Sequence, residues 1–526
     1  MSKHPRTELQ CLDDAEWLLK RPDTMIGSLE PEAINTFKVE GKGKDLRVLP
    51  TTVTTSPALL VLARELTSNA SDNYSRATET PQTFVRIKVD PENGAFEVSN
   101  DGATLPVEPF EGGDTWSPTI AFSSFRSSSN YDDTQERQGV GRNGVGSKGV
   151  NVFSERFEVT INDPLNKKKF QQQWSKNMGQ CSAPKVTKAT SIKPVTTVRW
   201  TPAFDRLKLG PREEGPRFTP EECIAFEELA VSMAICSPSN VKVFFNDQQV
   251  ALRSTEMLVK GLIGGVGVVA NDQVIDARGV TRLSVSVAAK PPGQEPRAFF
   301  YVNGAACHEG THAVYLMKKI TDLVVAKMKK SKKEADMTVK PAALRSEMVI
   351  AASLVVNQPS YTSQQKSSLA SKASDFGFQW MPDERFADKL VKTDLPTRAL
   401  ELGRATAELK LEKSSKVPRR VNVPKYQPAE KLRSGNASLI VCEGAPLAAP
   451  FRTLALSSLS PCSPLALPSL VPLALLTPPP LLSRRLGPQL RHGRVEHTGA
   501  QELWGIPRAR QAAQRSRRQR VPDLEQ

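Results

Sequence analysis

The stretch Gln138 to Ser154, QGVGRNGVGSKGVNVFS, contains the residue types that bind phosphate groups in proteins. Glycines allow backbone N–H groups to turn toward phosphate oxygens, and Lys148 can add a positive charge. The stretch is therefore a candidate phosphate cradle, and its interpretation depends on the elements around it.

Two common nucleotide-binding loops do not fit this stretch. Gly139, Gly141 and Gly144 match the dinucleotide fingerprint G-x-G-x-x-G, but that fingerprint needs a strand before it, and here the polar run SSSNYDDTQERQ precedes it. A P-loop needs Gly-Lys-Ser/Thr, whereas this chain has Gly-Ser-Lys at 146–148. Two interpretations remain: a flexible lid over a phosphate, backed by the start of a helix, or a mobile surface loop with no ligand.

The elements that would position such a loop are a mixture of helices and strands. Residues 58–77 carry apolar residues at three- and four-residue spacing, which predicts a helix with Glu65 and Asn69 one turn apart on one face. Residues 83–102 alternate on both sides of Pro-Glu-Asn-Gly, which predicts a β-hairpin. From 251 to 410, strand-like runs are interleaved with a lysine-rich helix, which predicts a second α/β domain. The fold class is therefore mixed α/β.

Composition limits the possible functions. The chain has 526 residues, enough for several domains, and its formal net charge of +15 favours a polyanionic partner. Eleven arginines and four acidic residues follow Gly444, so the rest of the chain is only moderately basic. The seven cysteines include no CxxC pair, which indicates reduced thiols in an intracellular protein without structural zinc. Prolines interrupt the apolar region 454–482, so we expect no membrane span and no membrane partner.

Five short motifs occur in one order along the chain. They are RPDTMIGS at 21–28, ELTSNASDN at 65–73, SSNYDD at 128–133, GRNGVGSK at 141–148 and SQQK at 363–366. In order and spacing they resemble the ATPase region of eukaryotic type II DNA topoisomerases, part of the superfamily that includes DNA gyrase and histidine kinases. The resemblance spans residues 8–444. It implies a GHKL-type ATPase domain with the Bergerat-type sandwich, followed by an α/β transducer domain.

The resemblance implies a domain organisation. The expected segments are an N-terminal strap at 1–30, the ATPase domain at 31–250, the transducer at 251–410, and a linker at 411–444 that ends in the first strand of a Toprim domain. Residues 445–526 are biased to Leu, Pro and Ser and then to Arg, with no periodicity that could bury a core, so we expect a disordered tail.

The C-terminal end departs from the family. Glu443 occupies the acidic metal position of the Toprim strand, but Ala445 and Pro446 follow where the family has Asp-Ser, and the last tyrosine is Tyr426. Cleavage of DNA would need further metal-binding aspartates and a nucleophilic tyrosine. We therefore expect no DNA cleavage by this chain. The abrupt loss of lysine after Gly444 favours the hypothesis of a changed reading frame or gene model.

The resemblance assigns a role to each matched residue around ATP. Glu65 would act as general base on the attacking water, Asn69 would complete the ligand shell of Mg²⁺, and Asn100 would read the adenine amino group. ATP and Mg²⁺ are thus the expected cofactors. Ribose and phosphates would be bound by Ser128, Ser129, Asn130, Gly141, Arg142, Asn143, Gly144, Val145, Gly146, Ser147 and Lys148. The alternative for Glu65 is a solvated helix carboxylate.

The second domain would reach the same nucleotide. By the resemblance, Lys366 meets the γ-phosphate as a fixed positive charge, with Gln364 and Gln365 beside it, so this domain could sense that phosphate. The alternative is a surface turn after a strand. Thr104 stands where the family usually has glycine, and it would strain the adenine site if the position needs a positive φ.

Double-stranded DNA and a second copy of the chain are the expected partners. The family has a DNA-facing lysine loop, and the residues here that resemble it are Lys327, Lys329, Lys330, Lys332 and Lys333. A solvated helix end is the alternative for this cluster. In the family the strap crosses to the partner's nucleotide, so ATP binding and homodimer formation are expected to be linked. We expect a nuclear location, with an organelle as the alternative.

The sequence thus predicts the ATP-hydrolysing gate of an ATP-dependent type II DNA topoisomerase. One alternative is a non-hydrolysing, nucleotide-gated DNA clamp or decoy partner of a full-length topoisomerase. Another is an artefact of gene prediction, in which the true protein continues through the Toprim domain to a tyrosine.

Overall fold

A computed structural model describes residues 10–74, 80–128, 144–330 and 340–415. These residues belong to the first of two units of the chain, Met1–Val421. The second unit, Asn422–Gln526, lies outside the described residues, and with it Glu443, the predicted Toprim strand and the tail.

The N-terminal half contains a hairpin and a large sheet. The hairpin is antiparallel and consists of β1 Glu32–Glu40 and β2 Arg47–Thr55. The large sheet consists of β3 Phe84–Asp90, β4 Ala95–Asn100, β5 Ser154–Asp163, β6 Lys168–Ser175, β7 Gln180–Cys181, β8 Lys185–Lys188, β9 Val195–Pro202, β10 Lys242–Phe245 and β11 Gln248–Gln249. Its spatial order is β11-β10-β3-β4-β9-β5-β6-β7, with β8 paired to β6. β10 runs parallel to β3, whereas β3, β4, β9 and β5 are antiparallel neighbours.

A second sheet follows. It consists of β12 Ala270–Ile275, β13 Thr281–Ala289, β14 Arg297–Val302, β15 Ala305–Ala306 and β17 Met348–Leu354, in the order β12-β13-β17-β14-β15. β14 and β17 run parallel. A separate pair, β16 Glu309–Gly310 and β18 Ser368–Leu369, is also parallel. The segment between β17 and β18 carries the SQQK motif, so this small pair anchors its C-terminal end.

Helices cover these sheets. They are α1 Asp14–Lys20, α2 Pro57–Tyr74, α3 Ser117–Ser123, α4 Gly146–Val152, α5 Pro220–Cys236, α6 Thr255–Leu262, α7 Thr311–Lys330, α8 Pro341–Ser346, α9 Glu384–Lys392 and α10 Leu395–Ser415. The apolar side chains of α2, such as Leu59, Leu62 and Leu66, share one buried core with Ile87 of β3 and Val98 of β4. This burial leaves other positions of α2 directed away from the sheet.

Several predictions of secondary structure are confirmed. The helix predicted over 58–77 is α2, and residues 75–79 lie outside the described part of the chain. The predicted hairpin is β3–β4, with Val85 opposite Asn100 and Asp90 opposite Ala95. The strand-like runs of the second half form β13, β14 and β17, and the lysine-rich helix is α7. The mixed α/β class is therefore confirmed.

A hydrophobic core separate from that of α2 and the large sheet joins the first half of the molecule to the second sheet. Phe37 of β1 packs edge-on against Phe299 of β14, with ring centroids 5.4 Å apart. Val231 of α5, Leu258 of α6 and Ala351 of β17 belong to the same core. The hairpin, α5 and the second sheet are therefore packed together rather than merely tethered by the chain.

A buried carboxylate fixes the start of α5. Glu222 is 0% exposed and forms a capping box with Thr219, each side chain bonding the backbone N–H of the other. Its two oxygens also accept bonds of 2.6 and 2.9 Å from Arg212 and one of 2.7 Å from Thr55 at the end of β2. Glu222 therefore ties α5 to the hairpin and to the loop before the helix.

We predict that Glu222→Gln lowers the free energy of unfolding by about 3 kcal/mol, because it leaves the charge of Arg212 without its buried counterion. Denaturant unfolding measures this change. The exposed neighbour provides the control: Glu221→Gln should change stability by less than about 0.5 kcal/mol. Equal effects of the two substitutions would contradict the role of the Glu222 ion pair.

Candidate functional site

A pocket of about 650 Å³ opens between α2, the large sheet and the segment that leads into α4. Its size is typical of a small-molecule site. One wall is apolar and includes Val98 and Val198 of the sheet, Leu105 and Ile120. The other walls are polar and contain residues of α2, of the Gly144–Lys148 turn and of the SQQK loop.

An ion pair crosses the pocket. It joins the first half of the molecule, which contains the hairpin and the large sheet, to the second half, which contains the second sheet. Nζ of Lys366 donates to Oε1 of Glu65 at 2.6 Å, although the two residues are 301 positions apart. Both side chains are nearly buried, with 7% and 9% of their surface exposed. Lys366 has φ +58°, a left-handed conformation that is uncommon outside glycine, and its N–H closes a turn onto the carbonyl of Ser363. Glu65 is therefore not the solvated carboxylate of the alternative interpretation.

Two glycines allow the turn before α4 to approach this pair. Gly144 has φ +62°, and a Cβ there would lie 2.5 Å from the carbonyl oxygen of Ser127. A Cβ at Gly146 would overlap Oε2 of Glu65. The side chain of Glu65 thus lies between Lys366 on one oxygen and the backbone of Gly146 on the other.

Lys148 is the third charged group of the site. It is 3% exposed, and its Nζ donates to the carbonyl oxygen of Ser127 at 2.8 Å. Burial lowers the pKa of this lysine from 10.5 to about 8. A carbonyl oxygen only partly offsets the loss of hydration, so the ammonium would gain from contact with an anion in the pocket.

Two of the amides assigned by the motifs, those of Asn69 and Asn100, line the pocket. Asn69 lies one turn after Glu65 on α2 and is exposed toward the pocket. Asn100 ends β4, and its Nδ2 donates to the carbonyl oxygen of Asp101 at 2.9 Å. The carboxylate of Asp101 instead points away and caps β3, accepting bonds of 2.8 Å from the N–H groups of Thr83 and Phe84.

The backbone after Asn100 is shaped by one glycine. Gly102 has φ +95°, and a Cβ there would lie 2.9 Å from Nδ2 of Asn73 and 3.1 Å from Cα of Gln82. Thr104 is not among the residues with positive φ. The strain that a threonine could cause at this position therefore does not arise.

The remaining candidate residues have different places. Ser128, Val145, Ser147 and Gln364 line the pocket, whereas the side chain of Gln365 lies against Gly27. The candidates outside the described residues are Ser129, Asn130, Gly141, Arg142, Asn143, Lys332 and Lys333. Of the lysine cluster on α7, Lys327 is paired with Asp388 at 2.9 Å and Glu384 at 3.7 Å. Lys329 and Lys330 close α7, and their side chains lie outside the description.

Sequence reasoning missed the apolar wall and one charged residue. Val98, Leu105, Ile120 and Val198 come from separate elements, and no motif marks them. Arg64, immediately before Glu65, donates from Nη2 to the carbonyl oxygen of Gln365. The signal that could have identified Arg64 in the sequence was its position directly before Glu65, which begins the ELTSNASDN motif.

The side chains of the described residues indicate how Mg²⁺ could be bound in the pocket. The described residues contain no group of three or more His, Cys, Asp or Glu side chains that could hold a metal ion. Asn69 is an exposed amide in the pocket, one turn from Glu65, and an amide oxygen is a ligand that Mg²⁺ accepts. The pocket therefore fits an ion held mainly by ligand phosphates and water, with Asn69 as a protein ligand. Within the described ranges, no helix has the length and apolar character to cross a membrane.

Comparison with known proteins gives consistent matches. A family model described as DNA gyrase B matches residues 255–414. DNA topoisomerase 2 of Penicillium chrysogenum is 29% identical over 450 residues, which cover 83% of this chain and 27% of that protein. The ATPase region of Saccharomyces cerevisiae topoisomerase II superposes with a TM-score of 0.66 at 25% identity, covering 75% of this chain and 98% of that structure. The ATPase and transducer domains of Balamuthia mandrillaris topoisomerase II give 0.68 at 25% identity, covering 78% and 100%.

The large mixed sheet, the pocket against α2 and the matched structures define the GHKL ATPase fold. The chain is similar to the N-terminal ATPase and transducer region of type II DNA topoisomerases. It spans about a quarter of the length of its Penicillium relative.

We predict that Gly146→Ala lowers the free energy of unfolding by about 1–3 kcal/mol, because the new methyl group displaces Glu65 from its contact with Lys366. Gly149→Ala in the same helix is the matched control, since its Cβ would meet only Leu18 Cδ2, at an ordinary 3.8 Å. That control should be neutral or stabilise the protein by up to about 1 kcal/mol. Thermal or denaturant unfolding compares the two variants, and equal stabilities would contradict the close approach of Gly146 to Glu65.

Proposed function

We propose that this chain binds and hydrolyses ATP and acts as the ATP-operated gate of a type II DNA topoisomerase. The observation that carries the proposal is the buried contact of Glu65 and Lys366 inside the pocket. It joins a candidate general base from the first half of the molecule to a candidate phosphate-binding lysine from the second half. Asn69, Asn100 and Lys148 line the same pocket and supply the other groups that ATP would need.

Hydrolysis requires that Glu65 face a water molecule in line with the γ-phosphate. In the proposed cycle, the γ-phosphate attracts Lys366, and Oε1 of Glu65 becomes available to orient and deprotonate that water. Lys366 then stabilises the charge that develops on the transferred phosphoryl group. Loss of the γ-phosphate returns Lys366 to Glu65, so the ion pair reports which nucleotide is bound.

The other polar residues orient the nucleotide. Asn100 would bind the adenine edge, and the apolar wall from Val98 to Val198 would cover the face of the base. Asn69 would hold the Mg²⁺ that accompanies ATP and neutralises phosphate charge. Lys148 and the first turn of α4 would bind the phosphates.

DNA and a second copy of the chain are the proposed partners. Relatives carrying the name DNA topoisomerase 2, and the basic residues at the end of α7, support this part of the proposal. Lys327 would have to exchange its acidic partners on α9 for a phosphate, which would make its contribution sensitive to salt. We also propose a nuclear location, since DNA is the expected substrate.

Steady-state ATP hydrolysis by the full chain with Mg²⁺, with and without duplex DNA, tests the proposal. We predict that Glu65→Gln lowers kcat by at least about 100-fold, because it removes the base but keeps the shape of the side chain. Binding of a non-hydrolysable ATP analogue should persist.

Glu97→Gln is the control for this experiment. Glu97 is a half-buried carboxylate on the neighbouring strand β4, outside the pocket lining, so its replacement should leave kcat unchanged. Undiminished hydrolysis by Glu65→Gln would overturn the assignment of the base. ATP binding without turnover in the unaltered chain would instead favour the nucleotide-gated clamp.

We predict that the affinity for the ATP analogue falls about tenfold between pH 7 and pH 9, because Lys148 loses its proton near pH 8 and only the ammonium attracts phosphate. Binding above pH 8 should therefore take up a proton. Lys148→Arg stays charged at pH 9 and should bind with little pH dependence. Titration calorimetry in two buffers of different ionisation enthalpy measures both effects, and a pH-independent affinity of the unaltered chain would contradict the role of Lys148.

A further inference from the structure

Arg64 lies beside the general base but points to a different partner. Successive residues of a helix diverge by about 100°, so the side chains of Arg64 and Glu65 leave α2 in different directions. Nη2 of Arg64 donates to the carbonyl oxygen of Gln365, the residue immediately before Lys366. Helix α2 thus carries both the carboxylate that Lys366 contacts and a group that binds the main chain of the Lys366 loop, which is the loop with the SQQK motif at 363–366.

Arg64 is partly buried between the two halves of the molecule, and its Nε is fully buried. Its burial lowers the pKa of Arg64 from its ordinary value, although an arginine remains charged at neutral pH. Burial raises the pKa of Cys307, and the positive charge of Arg64 acts against this increase. Burial and then the charge of Arg64 lower the pKa of His308, and both residues lie in the segment between β15 and β16. The side chain therefore crosses from the ATPase half to the second sheet region.

The Lys366 loop is held on two sides. Gly27, with φ +88°, allows the side chain of Gln365 to approach, since a Cβ at Gly27 would lie 2.9 Å from Nε2 of Gln365. Arg64 binds the main-chain carbonyl of Gln365, on the other side of that residue. Lys366 itself has φ +58°, which its own conformational preference does not favour, so external contacts are needed to hold it.

Stability alone does not explain an arginine at this position. Its buried Nε has no hydrogen-bond partner among the described residues. A buried donor without a partner is a cost to folding, and an apolar side chain of similar length would avoid it. The guanidinium of Arg64 is better explained by a role that requires its hydrogen bond to the carbonyl oxygen of Gln365.

We propose that Arg64 is a positioning residue that fixes the Gln365–Lys366 backbone, so that the ammonium of Lys366 is held where it contacts Glu65 and reaches the terminal phosphate of ATP. The proposal rests on the proposed ATPase function of this pocket. It makes sensing of the γ-phosphate by the second half of the molecule depend on a residue in the first half that does not itself line the pocket.

The test compares the full chain with Arg64→Met, which keeps the length of the stem and removes the guanidinium. The first readout is the ratio of affinities for a non-hydrolysable ATP analogue and for ADP. We expect this ratio to fall roughly tenfold in Arg64→Met, with the affinity for ADP unchanged, because one contact to the γ-phosphate is misplaced. We also expect kcat to fall by up to about 100-fold, as displacement of a catalytic group by an ångström can cause.

Two further variants separate positioning from folding and charge. Arg253→Ala is the matched control, because Arg253 also donates to main-chain carbonyls, those of Ser239 and Val241, but lies outside the pocket lining. It should leave the ATP-to-ADP ratio unchanged whatever it does to the melting temperature. Arg64→Lys keeps the charge but not the fork, and a ratio as low as that of Arg64→Met would assign the effect to hydrogen-bond geometry.

A double-substitution cycle identifies the route of the effect. If Arg64 acts through Lys366, then Arg64→Met should add no further loss of the ratio in a Lys366→Met background. Independent, additive losses in the double variant would overturn the inference. So would an ATP-to-ADP ratio in Arg64→Met equal to that of the unaltered chain.

Hydrogen exchange of the amides at 360–369, measured without nucleotide, keeps this test distinct from that of the ATPase function. Arg64→Met should exchange faster there, and Arg253→Ala should not. If the unaltered chain prefers ATP to ADP but Arg64→Met changes neither this preference nor exchange, the inference fails while the proposed function stands. If the unaltered chain binds no nucleotide, the proposed function fails, and unchanged exchange in Arg64→Met would overturn the positioning role as well.

Discussion

The contact between Glu65 and Lys366 is the constraint on which the rest of the site depends. A buried ion pair gains from mutual attraction only if its geometry is good enough to offset the loss of hydration of both charges. The 2.6 Å distance meets that condition, and several features are needed to reach it. Gly146 must lack a side chain, Lys366 must adopt a left-handed turn, and α2 must direct Glu65 into the pocket.

In the proposed function Lys366 has two alternative partners, the carboxylate of Glu65 and the γ-phosphate of ATP, and a lysine that exchanges between them would act as a sensor. In the proposed cycle, a bound γ-phosphate would compete with Glu65 for the ammonium of Lys366, so the position of the second half of the molecule would become linked to the nucleotide. The linkage is limited by the difference in free energy between the two partners, and it is reciprocal: whatever favours the displaced Lys366 also favours ATP. The same exchange would free the proposed base, Glu65, for catalysis, so in this proposal sensing and hydrolysis share one event.

A second connection between the halves lies at the hairpin and α5. Glu228 of α5 accepts a hydrogen bond from Thr36 of β1, and burial raises the pKa of Glu228 to about 7. Cys236, at the end of α5, accepts a bond of 3.3 Å from Ser353 of β17. Together with the Phe37–Phe299 contact, these residues form a packed junction that differs in character from the ion pair. The junction is largely apolar and fills space, whereas the ion pair can exchange partners.

The local spacing of residues was enough to predict several of the elements, but not the apolar wall of the pocket. Four-residue spacing placed Glu65 and Asn69 on one face of α2, and alternation predicted β3 and β4, because helical and strand periods are properties of the chain itself. Ordered motifs indicated the family. Contacts between distant segments were beyond such reasoning: the approach of Gly146 to Glu65 and the bond from Arg64 to Gln365 depend on how segments far apart in sequence pack against each other. Periodicity fixes which face a residue occupies, but only tertiary packing decides what that face meets.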